Sequence, residues 1–300
     1  MQIRLALYKM SAVKISFLFL SFVALSASTM FSADIAALDT KAKQGDRDAQ
    51  FELARIYLKG SEGVPKDVMR SFELMTTAAN QGHAEAMGGV GFFYANGIAV
   101  PRDEANAVEW FRKGAEAGGP KSQLNLGKML AEGKGIEKNE EEGKKWIRAA
   151  ADQGQPDAAY AMGSILYFGQ YGQAVEYAAA YPYLLKAAEG GHPNAQNTVG
   201  LMLESGQGVE LSAVQAEEWY RKAAKQGHAK AQSSLGRLLG PEVQDRARRV
   251  EALTWLLVSA KTGEITAQKM LEEIQAGIKP DDLAQAQRLA GDVEKSLRAK

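Results

Sequence analysis

Apolar positions along this chain fall into short, regularly repeated sets at helical spacing. Leu53, Val90, Leu126, Met162, Val199 and Leu235 each stand four residues ahead of Tyr57, Tyr94, Leu130, Leu166, Leu203 and Leu239. That i, i+4 interval puts both members on one face of a helix. Directly after the first member comes a small residue in every set: Ala54, Gly91, Gly127, Gly163, Gly200 and Gly236. A second series reads Leu74, Trp110, Trp146, Tyr183, Trp219 and Trp255. The pattern predicts two helices per period: helix A, with the small slot, and helix B, with the aromatic slot.

Glycine fixes the period. Gly45, Gly82, Gly118, Gly154, Gly191, Gly227 and Gly263 follow one another in steps of 36 or 37, each with an alanine three positions before it, from Ala42 to Ala260. Helix B closes at these glycines. Helix A runs, for example, from about Asp48 to Lys59, and closes near Gly60, Gly97, Gly133, Gly169 or Gly206, where glycine readily takes the left-handed conformation. Asp67, Asp103, Asn139 and Ser212 are placed to cap helix B with a side-chain oxygen. Pro120, Pro156 and Pro193 open helix A, where a missing amide hydrogen costs nothing.

The implied fold class is all-α, a tandem array of helix-turn-helix repeats. One hairpin of about 36 residues cannot bury its apolar face alone, whereas stacking joins the faces into a continuous core. Small slots let helices approach closely, and the tryptophan and leucine slots are expected to supply buried area. The domain reading is 1–28 export signal, 33–45 capping helix, 46–264 six repeats, and 265–300 capping helices. At the C-terminal end, Ile265 to Ala276 imitates a helix A with Glu272 in the small slot, and a last helix spans about Pro280 to Leu297.

Arg4, Lys9 and Lys14 precede thirteen apolar or small residues, Ile15 to Ala27, with small residues for cleavage at Ala24-Leu25-Ser26 or Ser26-Ala27-Ser28. This segment suits a signal peptide and is short of the roughly 20 residues of a spanning helix; an uncleaved anchor is the other reading, and Met10 an alternative start. Of 36 basic residues, those three fall in 1–28 with no acid, so the remainder carries 33 against 36 acidic. No electrostatic footprint for nucleic acid results. With no cysteine, disulfides, thiol catalysis and cysteine-zinc sites are excluded.

Leu53-Ala54-Arg55-Ile56-Tyr57-Leu58-Lys59-Gly60, Gly63-Val64-Pro65-Lys66-Asp67 and Ala78-Ala79-Asn80-Gln81-Gly82-His83 resemble the Sel-one-like repeat. So do Val199-Gly200, Gly206-Gln207-Gly208-Val209 and Ala216 to His228. The resemblance covers roughly residues 46–275. It implies a tetratricopeptide-related, right-handed α/α superhelical solenoid, and an adaptor rather than an enzyme. For an exported bacterial member it implies a periplasmic or secreted scaffold in envelope signalling or assembly. The expected partner is a protein, such as a periplasmic sensor domain or an envelope assembly component, with no nucleic acid and no membrane contact beyond the signal segment. The alternative is an envelope hydrolase of the β-lactamase or glycan-active type, since some cysteine-rich relatives have been described so. Here cysteines are lacking, and Ser-x-x-Lys occurs only at Ser11 to Lys14, inside the export signal.

By analogy with tetratricopeptide arrays, helix A lines the concave surface. Counting from the small slot, positions −5, −1, 0 and +3 are core and −3, +1, +4 and +5 face the opposite side. The candidate partner-binding residues are Phe51, Arg55, Phe92, Asn96, Lys128, Tyr160, Tyr167, Phe168 and Arg237. Leu124 falls on the same side. Large apolar side chains on an open face mark binding surfaces; packing against the following helix A is the competing explanation. His83, His192 and His228 share the slot after the repeat glycine, as turn residues do. Glu140-Glu141-Glu142 suits the start of a helix B. No metal, phosphate or serine-hydrolase motif is present, so neither cofactor nor catalysis is expected. The fourth repeat departs from the rest: Glu176 replaces the cap, Pro182 falls inside helix B, and six of ten tyrosines lie between Tyr160 and Tyr183. A bend at this repeat, shaping the main contact surface, is one expectation; a tolerated irregular repeat is the other.

Overall fold

The computed structural model describes residues 34–61 and 63–299, so the export segment expected over residues 1–28 lies outside the described residues. Among those described, the chain is all-α. A first helix, α1, covers 34–43. Hairpins follow: α2 (Arg47–Lys59) with α3 (Val68–Asn80), and α4 (Ala84–Asn96) with α5 (Glu104–Glu116). Next in the chain are α6 (Pro120–Glu132) and α7 (Glu140–Asp152). Then α8 (Pro156–Phe168) pairs with α9 (Tyr177–Glu189), α10 (Pro193–Ser205) with α11 (Ala213–Ala224), and α12 (Ala229–Leu239) with α13 (Arg246–Lys261). The chain closes with α14 (Ile265–Ile274), a 3-10 turn at Gln275–Gly277, and α15 (Pro280–Arg298). Two compact units result, one of residues up to 129 with 133–137, the other of 130–132 with 138 onward.

The local chemistry sets each boundary. Asp67, Asp103, Asn139 and Ser212 accept from the amides of Arg70, Asn106, Glu142 and Gln215, starting helix B. The backbone amides of Asp67, Asp103, Asn139, Glu176 and Ser212 meanwhile reach back to the carbonyls of Tyr57, Tyr94, Leu130, Leu166 and Leu203. The same joint thus closes five hairpin loops. All seven period glycines have φ between 84° and 95°, a region in which a Cβ is strained. The steps of 37 have a simple origin. The loop between helix A and helix B has eight residues in the first and fourth repeats and seven in the second, third and fifth.

In the hairpin core, Leu53, Val90, Leu126, Met162, Val199 and Leu235 are fully buried. Position +2 is also core in four repeats (Phe93, Met129, Ile165 and Met202), which the face count missed. The expected role of the aromatic slot needs correction. Leu74, Trp110, Trp146, Tyr183 and Trp219 are only half-buried, and the next residue goes deepest: Met75, Phe111, Ile147, Leu184, Tyr220 and Leu256. These side chains are why the small slot is small. A Cβ on Gly91, Gly163, Gly200 or Gly236 would stand 2.6–2.7 Å from Phe111, Leu184, Tyr220 or Leu256. Trp110, Trp146 and Trp219 lie towards the surface, where Lys113 and Lys222 sit 4.4 and 3.9 Å over Trp110 and Trp219, whereas Trp255 in the sixth repeat is buried, as expected of the slot.

Glutamines add a tie that hydropathy does not show. Gln50, Gln123, Gln196, Gln232 and Gln268 donate to the carbonyls of Ala42, Ala115, Ala188, Ala224 and Ala260, always eight residues back. Gln81 and Gln226 then donate to Gln50 and Gln196 at 2.7 and 2.8 Å. Each pairing anchors the first turn of helix A on the last turn of the helix before it.

At the C-terminal end α15 packs on α13, with Ala286 and Ala290 buried. The carboxylate of Asp282, 1% exposed, takes Arg246 Nε at 2.8 Å and Arg249 Nε at 2.7 Å. Glu272 of α14 is exposed. In the fourth repeat α9 is one uninterrupted helix with Pro182 as its sixth residue. The carbonyl deprived of a partner belongs to Ala178, still in the first turn.

Candidate partner-binding surface

The nine candidate residues divide between the units, and positions +1 and +5 of helix A are the open ones, except at +1 of the fourth repeat, where Ser164 is buried. In the first unit Arg55, Phe92, Asn96 and Lys128 are exposed. Arg55 holds Glu52 at 2.9 Å and lies 5.7 Å over the Phe51 ring. Asn96 Nδ2 donates to the Phe92 carbonyl, fixing the C-terminal turn of α4. Phe92 itself is 43% exposed. Phe51, at −3, is half-buried because its ring stacks 4.4 Å from that of His83.

The second unit repeats that device. Tyr160 stacks on His192 at 4.2 Å. Tyr167 lies edge-on to Phe168, tilted against Tyr177, and donates its hydroxyl to Gln207 at 2.9 Å. Burial, then the neighbouring Tyr177, raises the Tyr167 pKa above its ordinary value. Phe168 at the helix end remains 57% exposed. Arg237 is exposed but engaged, since it shares Glu204 Oε2 with the hydroxyl of the fully buried Tyr220, at 2.6 and 2.8 Å.

Position −3 is therefore not an open position. Leu124, Asn197 and Ser233 are buried there, and the aromatics that occupy it pack on the next repeat. The histidines explain why. His83, His192 and His228 cap α4, α10 and α12 through Nδ1, which accepts from the amides of Ala86, Ala195 and Ala231 at 3.1–3.3 Å. Their Nε2 atoms face Asp48, Asp157 and Asn194. Glycine breaks the series once, as Gly119 before α6 provides no side-chain cap.

In the first unit this surface also contains a cavity of about 430 Å³ between α2, α4 and the first turns of α6. Phe51, Phe92, Arg55, Gly88, Lys121 and Ser122 are among the residues around it. Burial of Ser122 leaves its Oγ without a hydrogen-bond partner.

Comparison with known proteins places these features in context. The family model for the Sel1 repeat matches residues 47–83, 84–119, 120–155, 156–192 and 193–228. The hairpin α12/α13 follows the matched segments. A Sel1 repeat protein from Oxalobacter formigenes is 28% identical, with 72% of this chain and 86% of that one covered and a TM-score of 0.61. A second structure, a putative sel1 repeat protein from Klebsiella pneumoniae, is 20% identical over 68% of this chain and 98% of its own, with a TM-score of 0.47. The immunity protein Pa5087 from Pseudomonas aeruginosa is 20% identical over 71% and 81%, with a TM-score of 0.45. No curated protein is similar enough in sequence to match.

Proposed function

Because the chain belongs to the Sel1 repeat family, we propose that it is an exported scaffold that holds a protein partner on its helix-A face, in envelope signalling or assembly. Sel1 repeats are scaffolds, typically without catalytic activity of their own. The observation that carries the reading is that each unit has a large aromatic standing open on a helix A, Phe92 in the first and Phe168 in the second. Exposed aromatic anchors among polar neighbours are what binding hot spots are made of. Export rests on the basic and then apolar residues 1–28, and places the partner in the periplasm or outside the cell.

Crosslinking and affinity capture from the bacterial envelope tests the proposal. A protein captured by the wild-type chain and lost with Phe92→Ser or Phe168→Ser, with helicity intact, supports it. Capture that survives both substitutions and Arg55→Glu removes the helix-A face as the contact. Tyr160 and Tyr167 are poorer probes, since both already serve contacts within the repeats.

A further inference from the structure

The second repeat lacks two side chains that the first and fourth possess. Phe51 and His83 form a stacked pair across 32 residues, as do Tyr160 and His192. The equivalent positions of the second repeat are Gly88 and Gly119, so ring and cap are both reduced to glycine. The cavity of about 430 Å³ lies at that place, and both glycines line it. Its size is within the range of ligand pockets.

Three further features define what would fill it. Gly119 leaves the amide of Ser122 without the side-chain cap that the corresponding amides of Ala49, Ala86, Ala158, Ala195, Ala231 and Ala267 receive. The Ser122 hydroxyl is buried, has no partner, and lies 2.5 Å from where a Cβ of Gly88 would stand. Lys121, exposed on the same turn, makes no ion pair among the described residues. The charged residues around the cavity are Arg55 and Lys121 against Glu85, and with this positive balance an N–H, an O–H and an ammonium together call for a carboxylate at the start of α6. Phe51 and Phe92 on the cavity wall call for an aromatic group.

Resting on the reading of the helix-A face as a protein-binding surface, we propose that this cavity receives the C-terminal aromatic residue of the partner. The ring enters the cavity beside Gly88 and Gly119, against Phe51 and Phe92, and the α-carboxylate accepts from the Ser122 amide and hydroxyl and faces Lys121. A chain terminus is favoured over an internal segment on geometry. In an extended peptide successive side chains point to opposite sides, so an aromatic and an adjacent acidic side chain could not both enter. A terminal aromatic residue carries both groups itself.

The test is fluorescence anisotropy on the purified chain with an N-terminally labelled peptide, Gly-Ser-Gly-Ser-Ala-Phe. The free acid is expected to bind at least tenfold more tightly than its C-terminal amide or the peptide ending in alanine. Phe92→Ala, at an exposed position, is expected to lose about the same factor. Gly119→Asp, at an ordinary φ of −68° but with its Cβ 3.0 Å from the Gly114 carbonyl oxygen, puts a carboxylate at the cap within the chain, so the folded variant is expected to exclude the peptide. Equal binding of acid and amide, unchanged binding by Phe92→Ala or a folded Gly119→Asp, or no binding of any peptide overturns the proposal. Envelope capture that still depends on Phe168 or Arg55 would then leave the wider reading standing, whereas insensitivity to these as well would remove both.

Discussion

Each histidine of the repeats offers Nδ1 as an acceptor to the amide three residues on, so a proton at that atom and the cap exclude one another. At His228 the consequence is measurable. Burial, then Lys230 and more weakly His192, pulls its pKa below the ordinary 6.5, against an opposing backbone hydrogen bond. A base depressed in the folded state contributes stability that is whole above the unfolded pKa and is lost as pH falls through the folded one. Tm should therefore be flat above about pH 7 and decline below about 6.5. His228→Asn keeps an acceptor at the cap and should flatten that decline, read by thermal melts across pH. Reading the histidines as turn residues was open to the sequence; their capping and stacking were not, because the ring partner stands 32 residues away in a slot occupied by an aromatic only in the first and fourth repeats.

Between helices, the ties run to backbone atoms, and these were the least legible part. Asp, Asn and Ser announce a cap by their own chemistry, so helix starts could be read residue by residue. A glutamine at −4 reads as a polar residue near the start of helix A, and nothing local tells that its amide ends on an alanine carbonyl eight residues back. Gln196→Ala should cost about 0.5–1.5 kcal/mol, the net worth of a lost hydrogen bond, since Ala188 O keeps the Gly191 amide and Gln226 keeps the Gly191 carbonyl; urea denaturation measures it. The fourth repeat presents the opposite case. Glu176 makes no side-chain cap on α9, and Glu176→Asp should add about 0.5–1 kcal/mol by the usual worth of that bond. The aromatic slot misled for a related reason: periodicity finds a face, whereas the deepest point of that face lies one residue further on, opposite the missing Cβ of helix A. The candidate surface was legible at +5 and, Ser164 apart, at +1, where side chains stand open, but not at −3, which belongs to the packing of the next repeat.

At the scale of the whole molecule, a repeat array is stabilised by contacts between neighbours and depends on its terminal elements to cover the last apolar face. Asp282 is the fastening of that cover here, holding α15 to two arginines around the start of α13. Its carboxyl is kept below the usual range, first by the Arg249 hydrogen bond and then by Arg246, against desolvation. The fastening is thus whole above about pH 4, the ordinary aspartate value, and is lost as pH falls through the depressed one. Asp282→Ala should release residues 280–298 in hydrogen exchange at neutral pH while α8 to α11 keep their protection; unchanged protection of α15 would show that Ala286 and Ala290 suffice. The five loop joints, from the cap amide to the +3 carbonyl, lead further. They are written in backbone atoms and in offsets counted from the period glycine, so they are indifferent to which copy of the repeat stands on either side. Unequal recombination that removes or duplicates one period would keep every joint in register, and the eight-residue loops of the first and fourth repeats absorb one extra residue without losing theirs. Array length can thus change between generations in whole steps, with the surface motifs carried along as cargo.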